Sequence, residues 1–179
     1  MKRNILIVDA YNMIGNWPKL NKLKQAGRLE DARDSLLHIL ANFRRQRNYQ
    51  IIVVFDAMYV PGLAQNYQQT GLEVVWTAEE QTADSYIEAL TKQLQSPLTL
   101  VTVATSDQAE QWTIFSQGAM RIPAWELERD IKRADQEIKN QSQKYQDEAS
   151  VRRVPWDKQQ LQKLNTLRKK LEEKKDSKN

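Results

Sequence analysis

The chain has no cysteine, one histidine and five glycines among its 179 residues, and each scarcity removes a class of chemistry. Without cysteine there is no disulfide, no thiolate zinc site and no cysteine nucleophile. The lone histidine, His38, sits in a helix-like stretch before Ile39-Leu40 and reads as a surface or core-edge residue. Mechanisms that need a histidine pair as acid and base are therefore excluded. No Gly-x-x-x-x-Gly-Lys-Ser/Thr loop exists, and no Gly-x-Gly-x-x-Gly follows the first strand, so nucleotide cradling of either kind is out. No apolar run approaches the roughly eighteen residues of a membrane span, and the first residues enter a strand without a signal-peptide core. The expectation is a soluble, cytoplasmic monomer with no membrane partner.

What is present is organised around Ile5–Asn12. Four consecutive apolar residues, Ile5-Leu6-Ile7-Val8, read as a short strand buried on both faces, the habit of a parallel sheet. The strand runs straight into Asp9, with Asn12 three residues on. A carboxylate just past the end of a central strand stands where open α/β sheets place their ligands, although Asp-x-x-Asn also suits turn and capping chemistry.

Further along, Gly15-Asn16-Trp17-Pro18 opens a turn-rich loop reaching about Gly27. Leu29, Ala32, Leu36, Leu37, Leu40 and Phe43 give Arg28–Arg47 the spacing of an amphipathic helix. Gln50–Phe55 is a second buried strand ending on Asp56, and Ala57–Thr70 is a polar loop. Leu72–Trp76 is a third strand. Thr82 caps a helix with Ile87, Leu90 and Leu94 inward, and Ser96-Pro97 breaks it. Thr99–Ala104 is a fourth strand, leading through Thr105-Ser106-Asp107 into a helix that stops before Gly118. Ala119–Ile122 is a short fifth strand. After Pro123 a long helix carries Leu127, Ile131, Ala134, Ile138 and Tyr145. Val151–Pro155 reads as a linker, and Asp157 with Gln160 caps a terminal helix bearing Leu161, Leu164, Leu167 and Leu171. Strands alternating with helices imply an α/β fold, a doubly wound, mainly parallel sheet of four to five strands. The domains divide as 1–150 and a helical tail, 151–179.

In a parallel sheet all strand C-termini share one edge. Asp9, Asp56 and Asp107 follow strands one, two and four, and Asp84 opens the helix after strand three, so four acids converge there, with Glu79 a possible fifth. Each alone has a capping explanation. Carboxylates crowded in a cleft repel, and either protonation or a divalent cation relieves them. Oxygen ligands without His or Cys suit Mg²⁺ or Mn²⁺. Such an ion can activate water and stabilise charge on a phosphodiester, so metal-assisted hydrolysis is the chemistry that remains.

Charge is unevenly spread. Residues 151–179 hold 10 Lys and Arg against 4 Asp and Glu, a net of +6, whereas residues 1–150 hold 17 against 19, a net of −2. Basic tails favour polyanions such as nucleic acid or the ribosome surface. Arg152 and Arg153, at the start of the tail, are candidate substrate contacts. Tyr11, Trp17, Tyr59, Tyr67 and Trp76 fall in or beside the loops of the acidic edge, where exposed aromatics stack unpaired bases. Tyr59 and Tyr67 are the better candidates, because Trp76, ending a strand, is expected in the core.

Val8-Asp9-Ala10-Tyr11-Asn12-Met13-Ile14, Val54-Phe55-Asp56-Ala57, Thr82-Ala83-Asp84, Ala104-Thr105-Ser106-Asp107 and Gln117–Ile122 together resemble the signatures of the bacterial YacP-type NYN domain, one of the PIN-like nucleases. The resemblance covers about residues 4–145. It implies a PIN-like fold and a metal-dependent endoribonuclease that cuts single-stranded RNA, with mRNA and the ribosome as partners. Asp9, Asp84 and Asp107 match the acidic metal and catalytic site, and Asn12 and Asp56 match motif positions beside it, which with Tyr11 are candidate substrate contacts. Glu79 matches an acid common before Thr-Ala-Asp. Ala10 and Met58 stand where the family commonly has Gly and His, and Glu80-Gln81 where it often has Gly and Glu. Two other readings compete. A non-catalytic RNA- or ribosome-binding module with the same fold would use the tail equally well, but would gain nothing from an acidic cleft. A small-molecule phosphatase commonly uses an Asp-x-Asp pair, and here Tyr11 occupies the second position.

Overall fold

The computed structural model describes residues 3–56, 71–107, 118–152, 160 and 162–168. Five strands form one sheet: β1 (Arg3–Asp9), β2 (Tyr49–Phe55), β3 (Glu73–Trp76), β4 (Thr99–Ala104) and β5 (Met120–Ile122). Their order is β3-β2-β1-β4-β5, and every pairing is parallel. The α/β reading holds. The order reverses between β1 and β4, since the chain first builds outward from β1 through β2 and β3, then returns to lay β4 on the other side. That reversal opens a crevice at the strand C-termini, the usual ligand position in open sheets.

The middle of the central strand, Ile5–Val8, is apolar because both of its faces are covered. Leu6, Val8, Ile51, Val53, Phe55 and Ala104 point to one side. There they meet α1 (Ala10–Asn16), α2 (Pro18–Gln25), α3 (Leu29–Gln46) and the first turns of α5 (Ala124–Arg152). Ile5, Ile7, Ile52, Val54, Val101 and Val103 point to the other and meet α4 (Ala83–Leu94). This is the period-two alternation of a strand, with neither face left to water. Ile87 is the buried anchor of α4, with Leu90 and Leu94 partly buried beside it. His38 is exposed on α3.

The loop expected over residues 15–27 is instead two helices. Local punctuation misled: Gly15 and Pro18 look like breakers, but Gly15 lies in the last turn of α1 and Pro18 opens α2 at the position where its missing N–H costs nothing. Trp17 is the hinge between them. It is 2% exposed, and its indole N–H donates to the Ala124 carbonyl at 2.8 Å. Gly27, at φ +74°, ends the second helix in the left-handed region. Another correction concerns Val151–Pro155: α5 runs through Arg152, so the expected linker begins inside a helix.

The chain forms two compact units, Met1–Asp135 and Gln136–Asn179. Along α5, Leu127, Ile131 and Ala134 are buried within the first unit, whereas Ile138 and Tyr145 in the second are exposed. In the second unit residues 162–168 are helical, with Leu164 and Leu167 exposed. The loop expected at 57–70, the helix expected after Asp107, and Asp157, Leu161 and Leu171 lie outside the described residues. Among the described residues no helix is long and apolar enough to cross a membrane.

Trp17→Ala should lower the free energy of urea unfolding by about 3–5 kcal/mol, through lost burial and the cavity left behind. Trp17→Phe, which keeps most of the volume and loses the hydrogen bond to Ala124, should cost less. Equal midpoints for wild type and Trp17→Ala would mean this side chain does not tie α1 and α2 to the first turn of α5.

Candidate active site at the acidic edge

Asp9 is the last residue of β1, and its carboxylate accepts the Asn12 N–H at 3.1 Å, capping α1. The strand and cap together hold it 7% exposed. Three further acids surround it on the strand-end edge. Asp56 directly follows β2, and its carboxylate accepts the Ala83 N–H at 3.4 Å, bracing the start of α4. Asp84 stands in the first turn of that helix, which Thr82 caps by accepting the Ser85 N–H. Asp107 follows β4 and donates its own N–H to the Thr105 hydroxyl at 3.1 Å.

Their electrostatics link them. Burial is the main cause that pushes the Asp9 carboxyl up to about 6, the hydrogen bond from Asn12 works against it, and the charges of Asp84, Asp56 and Asp107 raise it further. Partial desolvation also raises the Asp84 carboxyl, followed by repulsion from Asp107 and Asp56. The sheet has thus gathered four carboxylates close enough that Asp84, Asp56 and Asp107 oppose the ionisation of Asp9, and Asp107 and Asp56 that of Asp84. Among the described residues, no three His, Asp or Glu side chains stand as a ready-made cage for an ion. The donor chemistry, all oxygen with one buried carboxylate, fits a magnesium-like cation held by one or two carboxylates and water.

A hydrogen-bonded chain crosses the crevice between β1 and β4. The Asn12 amide oxygen accepts the Ser106 N–H at 2.9 Å, and the Ser106 hydroxyl accepts the Ala124 N–H at 2.9 Å. The carbonyl of Ala124 in turn accepts from Trp17. Because a backbone N–H only donates, the atom of Asn12 facing Ser106 must be its oxygen. Asn12 therefore braces the residue before Asp107.

On the other flank, Arg33 is 5% exposed on the inward side of α3. It donates to the Tyr11 hydroxyl at 3.4 Å and lies 5.7 Å from the Trp76 ring centroid. Tyr11 meets Phe55 edge-on, and Phe55 stacks on Trp76 with centroids 4.5 Å apart. Arg33 was not among the residues expected at the site. Its signal was an arginine in phase with Leu29, Leu36 and Leu40, where the helix points inward. Trp17 is buried and cannot stack a base, which corrects that expectation. Trp76 is partly buried against Phe55, as a strand-end core residue should be. Tyr59, Tyr67 and Arg153 lie outside the described residues, and Arg152 is the last residue of α5. Glu79 is exposed in the turn before α4.

A model of the YacP-like NYN domain matches residues 6–169 of the chain. The uncharacterized protein YacP of Bacillus subtilis (strain 168) is 42% identical over 151 residues, covering 84% of this chain and 88% of that protein. A crystal structure of Rae1 (YacP) from Bacillus subtilis superposes with a TM-score of 0.70 at 40% identity, covering 92% of this chain and 94% of that one. A second crystal structure, of a mutant of the same protein, gives 0.69 at 42% identity over 79% of this chain and 82% of that one.

The raised Asp9 carboxyl sets a pH dependence. The unfolded chain releases this proton near 3.8 and the folded chain near 6, so the fold holds more protons in between and loses stability as pH rises through that window. Above it the full cost of the buried charge, on the order of 3 kcal/mol, is present. Asp9→Asn keeps a side-chain oxygen for the cap, and without added divalent ions should raise the melting temperature at about pH 7.5 but not below about pH 4. A variant equally destabilised at both values would show that Asp9 serves the fold rather than opposing it.

Proposed function

The chain belongs to the YacP-like NYN domain family, a family of PIN-like nuclease domains, and from that premise we propose that it is a metal-dependent endoribonuclease acting on single-stranded RNA in the cytoplasm. The observation that carries this reading is the buried Asp9 carboxyl, opposed by Asp84, Asp56 and Asp107 at the point where the strand order reverses. An RNA phosphate would be repelled by such an edge, so a protein that only bound RNA would gain nothing by keeping it. A divalent ion, Mg²⁺ or Mn²⁺, would supply charge neutralisation and an activated water there. Asp9, Asp84 and Asp107 are the residues we assign to hold it and to carry catalysis.

The chain's own groups divide the remaining work. Asp56, through the Ala83 N–H, positions the helix turn that presents Asp84. Asn12 positions the Ser106–Asp107 turn and keeps its amide N–H groups to offer a substrate oxygen. Arg33 and Phe55 set the Tyr11 ring beside Asn12, where it can meet the RNA. The +6 of residues 151–179, beginning with Arg152 and Arg153, supplies long-range attraction to mRNA and the ribosome that a domain of net −2 lacks. A non-catalytic RNA- or ribosome-binding module is the second reading, favoured by the spacing of the acids, which leaves no three of the described ones in a closed cage.

Digestion of a defined mRNA with and without ribosomes, in Mg²⁺, Mn²⁺ or EDTA, separates the two. Cleavage should need the ion, and Asp107→Asn should lower its rate by roughly a thousandfold or more, the equivalent of several kcal/mol of lost transition-state stabilisation. Asp107→Asn should melt no lower than wild type, since it removes a repelling charge. RNA binding with no cleavage under any of these conditions would favour the binding module.

Removing residues 151–179 should weaken binding to RNA or ribosomes and flatten its salt dependence, whose log–log slope is about −0.7 per phosphate neutralised on single strands. Slow single-turnover cleavage of a short RNA at saturating protein should persist. Identical affinities and slopes for the full and shortened chains would reduce the tail to a solvated helix.

A further inference from the structure

Trp125, the second residue of α5, is 62% exposed. Few side chains offer more apolar surface, and leaving it in water forfeits stabilisation that burial would supply. Its ring is not loose. The Arg129 guanidinium lies 5.2 Å from the ring centroid, and Arg129 is held by Glu126 at 3.1 Å and Asp130 at 3.6 Å. The helix buries Ala124, Leu127, Ile131 and Ala134, which puts Trp125 and Arg129 together on its outer side.

The start of this helix is bound to the acidic edge. Ile122 pairs in register with Ala104, and the Thr105 N–H donates to the Ile122 carbonyl at 3.2 Å. The chain after Ile122 therefore runs on beside Thr105 and Ser106, where the Ala124 N–H meets the Ser106 hydroxyl. Ala124 is tied through its N–H to Ser106 and through its carbonyl to Trp17. Side chains on a helix lean toward its N-terminus, so the indole leans toward the strand ends that carry the carboxylates.

A substrate strand crossing four acids gains little there from its phosphates. With the acids only partly offset by an ion, affinity next to the reacting bond gains from contacts that do not depend on backbone charge, and an aromatic face supplies one: unpaired bases stack on indole and guanidinium planes with little regard to sequence. We infer that Trp125, backed by Arg129, is a stacking platform for one unpaired RNA base beside the acidic edge, an inference that rests on the endoribonuclease reading. A protein contact is the other use of an exposed tryptophan, but such anchors sit in desolvated apolar surroundings. Arg129, Glu128 and Lys132, the latter two paired at 2.7 Å, make this face charged.

The test measures binding of a labelled single-stranded RNA of about ten nucleotides in EDTA, so that no cleavage intervenes. Trp125→Ala should raise Kd by roughly 5- to 150-fold, the range that about 1–3 kcal/mol of base stacking corresponds to. Trp125→Phe should recover most of the loss, and the salt slope should not change, because no phosphate contact is removed. An abasic nucleotide at one position should weaken wild type and leave Trp125→Ala unaffected, a pattern that a purely structural role would not produce. Thermal melting of both variants should match wild type. An unchanged Kd for Trp125→Ala, with wild type still cleaving in Mn²⁺, overturns the platform and leaves the enzyme reading intact. Wild type that neither binds nor cleaves RNA overturns both. Lost ribosome association with unchanged RNA affinity would overturn the platform in favour of a protein contact.

Discussion

Burying the Asp9 carboxylate is the constraint on which the rest of this structure turns. The strand that carries it is apolar on both faces, so the side chain at its end has little water to share. Its partner within hydrogen-bonding distance is a backbone N–H of the helix it caps. Parallel pairing on both sides of β1 then brings the ends of β2 and β4 alongside, each followed by an acid. A fold under no other demand would place apolar or neutral groups there. The stability lost to this arrangement is the observation behind the proposed cation site, since strongly perturbed carboxyls cluster at functional positions.

The crevice is held from its two flanks by different physics. Toward β4 the ties are hydrogen bonds running from Asn12 through Ser106 to Ala124 and Trp17, linking α1, the turn after β4 and the first turn of α5. Toward β3 the ties are ring contacts and a buried cation, with Arg33 beneath Tyr11 and Trp76. Arg33 has Glu30 at 3.8 Å, and that glutamate is largely in water, so much of its stabilisation comes from the ring faces. Directional bonds set the turn that presents Asp107, while packing sets the plane of Tyr11. A shift on either flank would move a different part of the site.

The likeness to YacP and the geometry of the edge support one another at different levels. Family membership accounts for the parallel α/β fold that brings the ends of β1, β2 and β4 to one edge. The electrostatics explain why the positions of the acids matter physically, because the charges of three other acids, Asp84, Asp56 and Asp107, reach Asp9. The role proposed for Trp125 adds a component of another kind, an apolar surface next in the chain to Ala124, which is bonded to Ser106.

The strands and the limits of α3 and α4 were legible in the sequence because their signals are local. Ile5–Val8 and Ile51–Phe55 are unbroken apolar runs, α3 repeats its apolar side chains every three or four residues, and Thr82 announces α4. The acids could be assigned to one edge because each follows a strand, and parallel strands end together. What tertiary structure alone decided rests on contacts between residues distant in the chain. Residues 15–27 are two helices whose junction, Trp17, is buried and bonded to the Ala124 carbonyl 107 residues away, a contact that the local punctuation of Gly15 and Pro18 does not announce. Arg33 could be buried only because Tyr11 and Trp76, on other elements, were there to receive it. The order of the strands, and with it the crevice between β1 and β4, followed from which edge of the sheet still had unpaired N–H and C=O groups and which face still had apolar side chains to cover, properties of the assembled sheet and of no single segment.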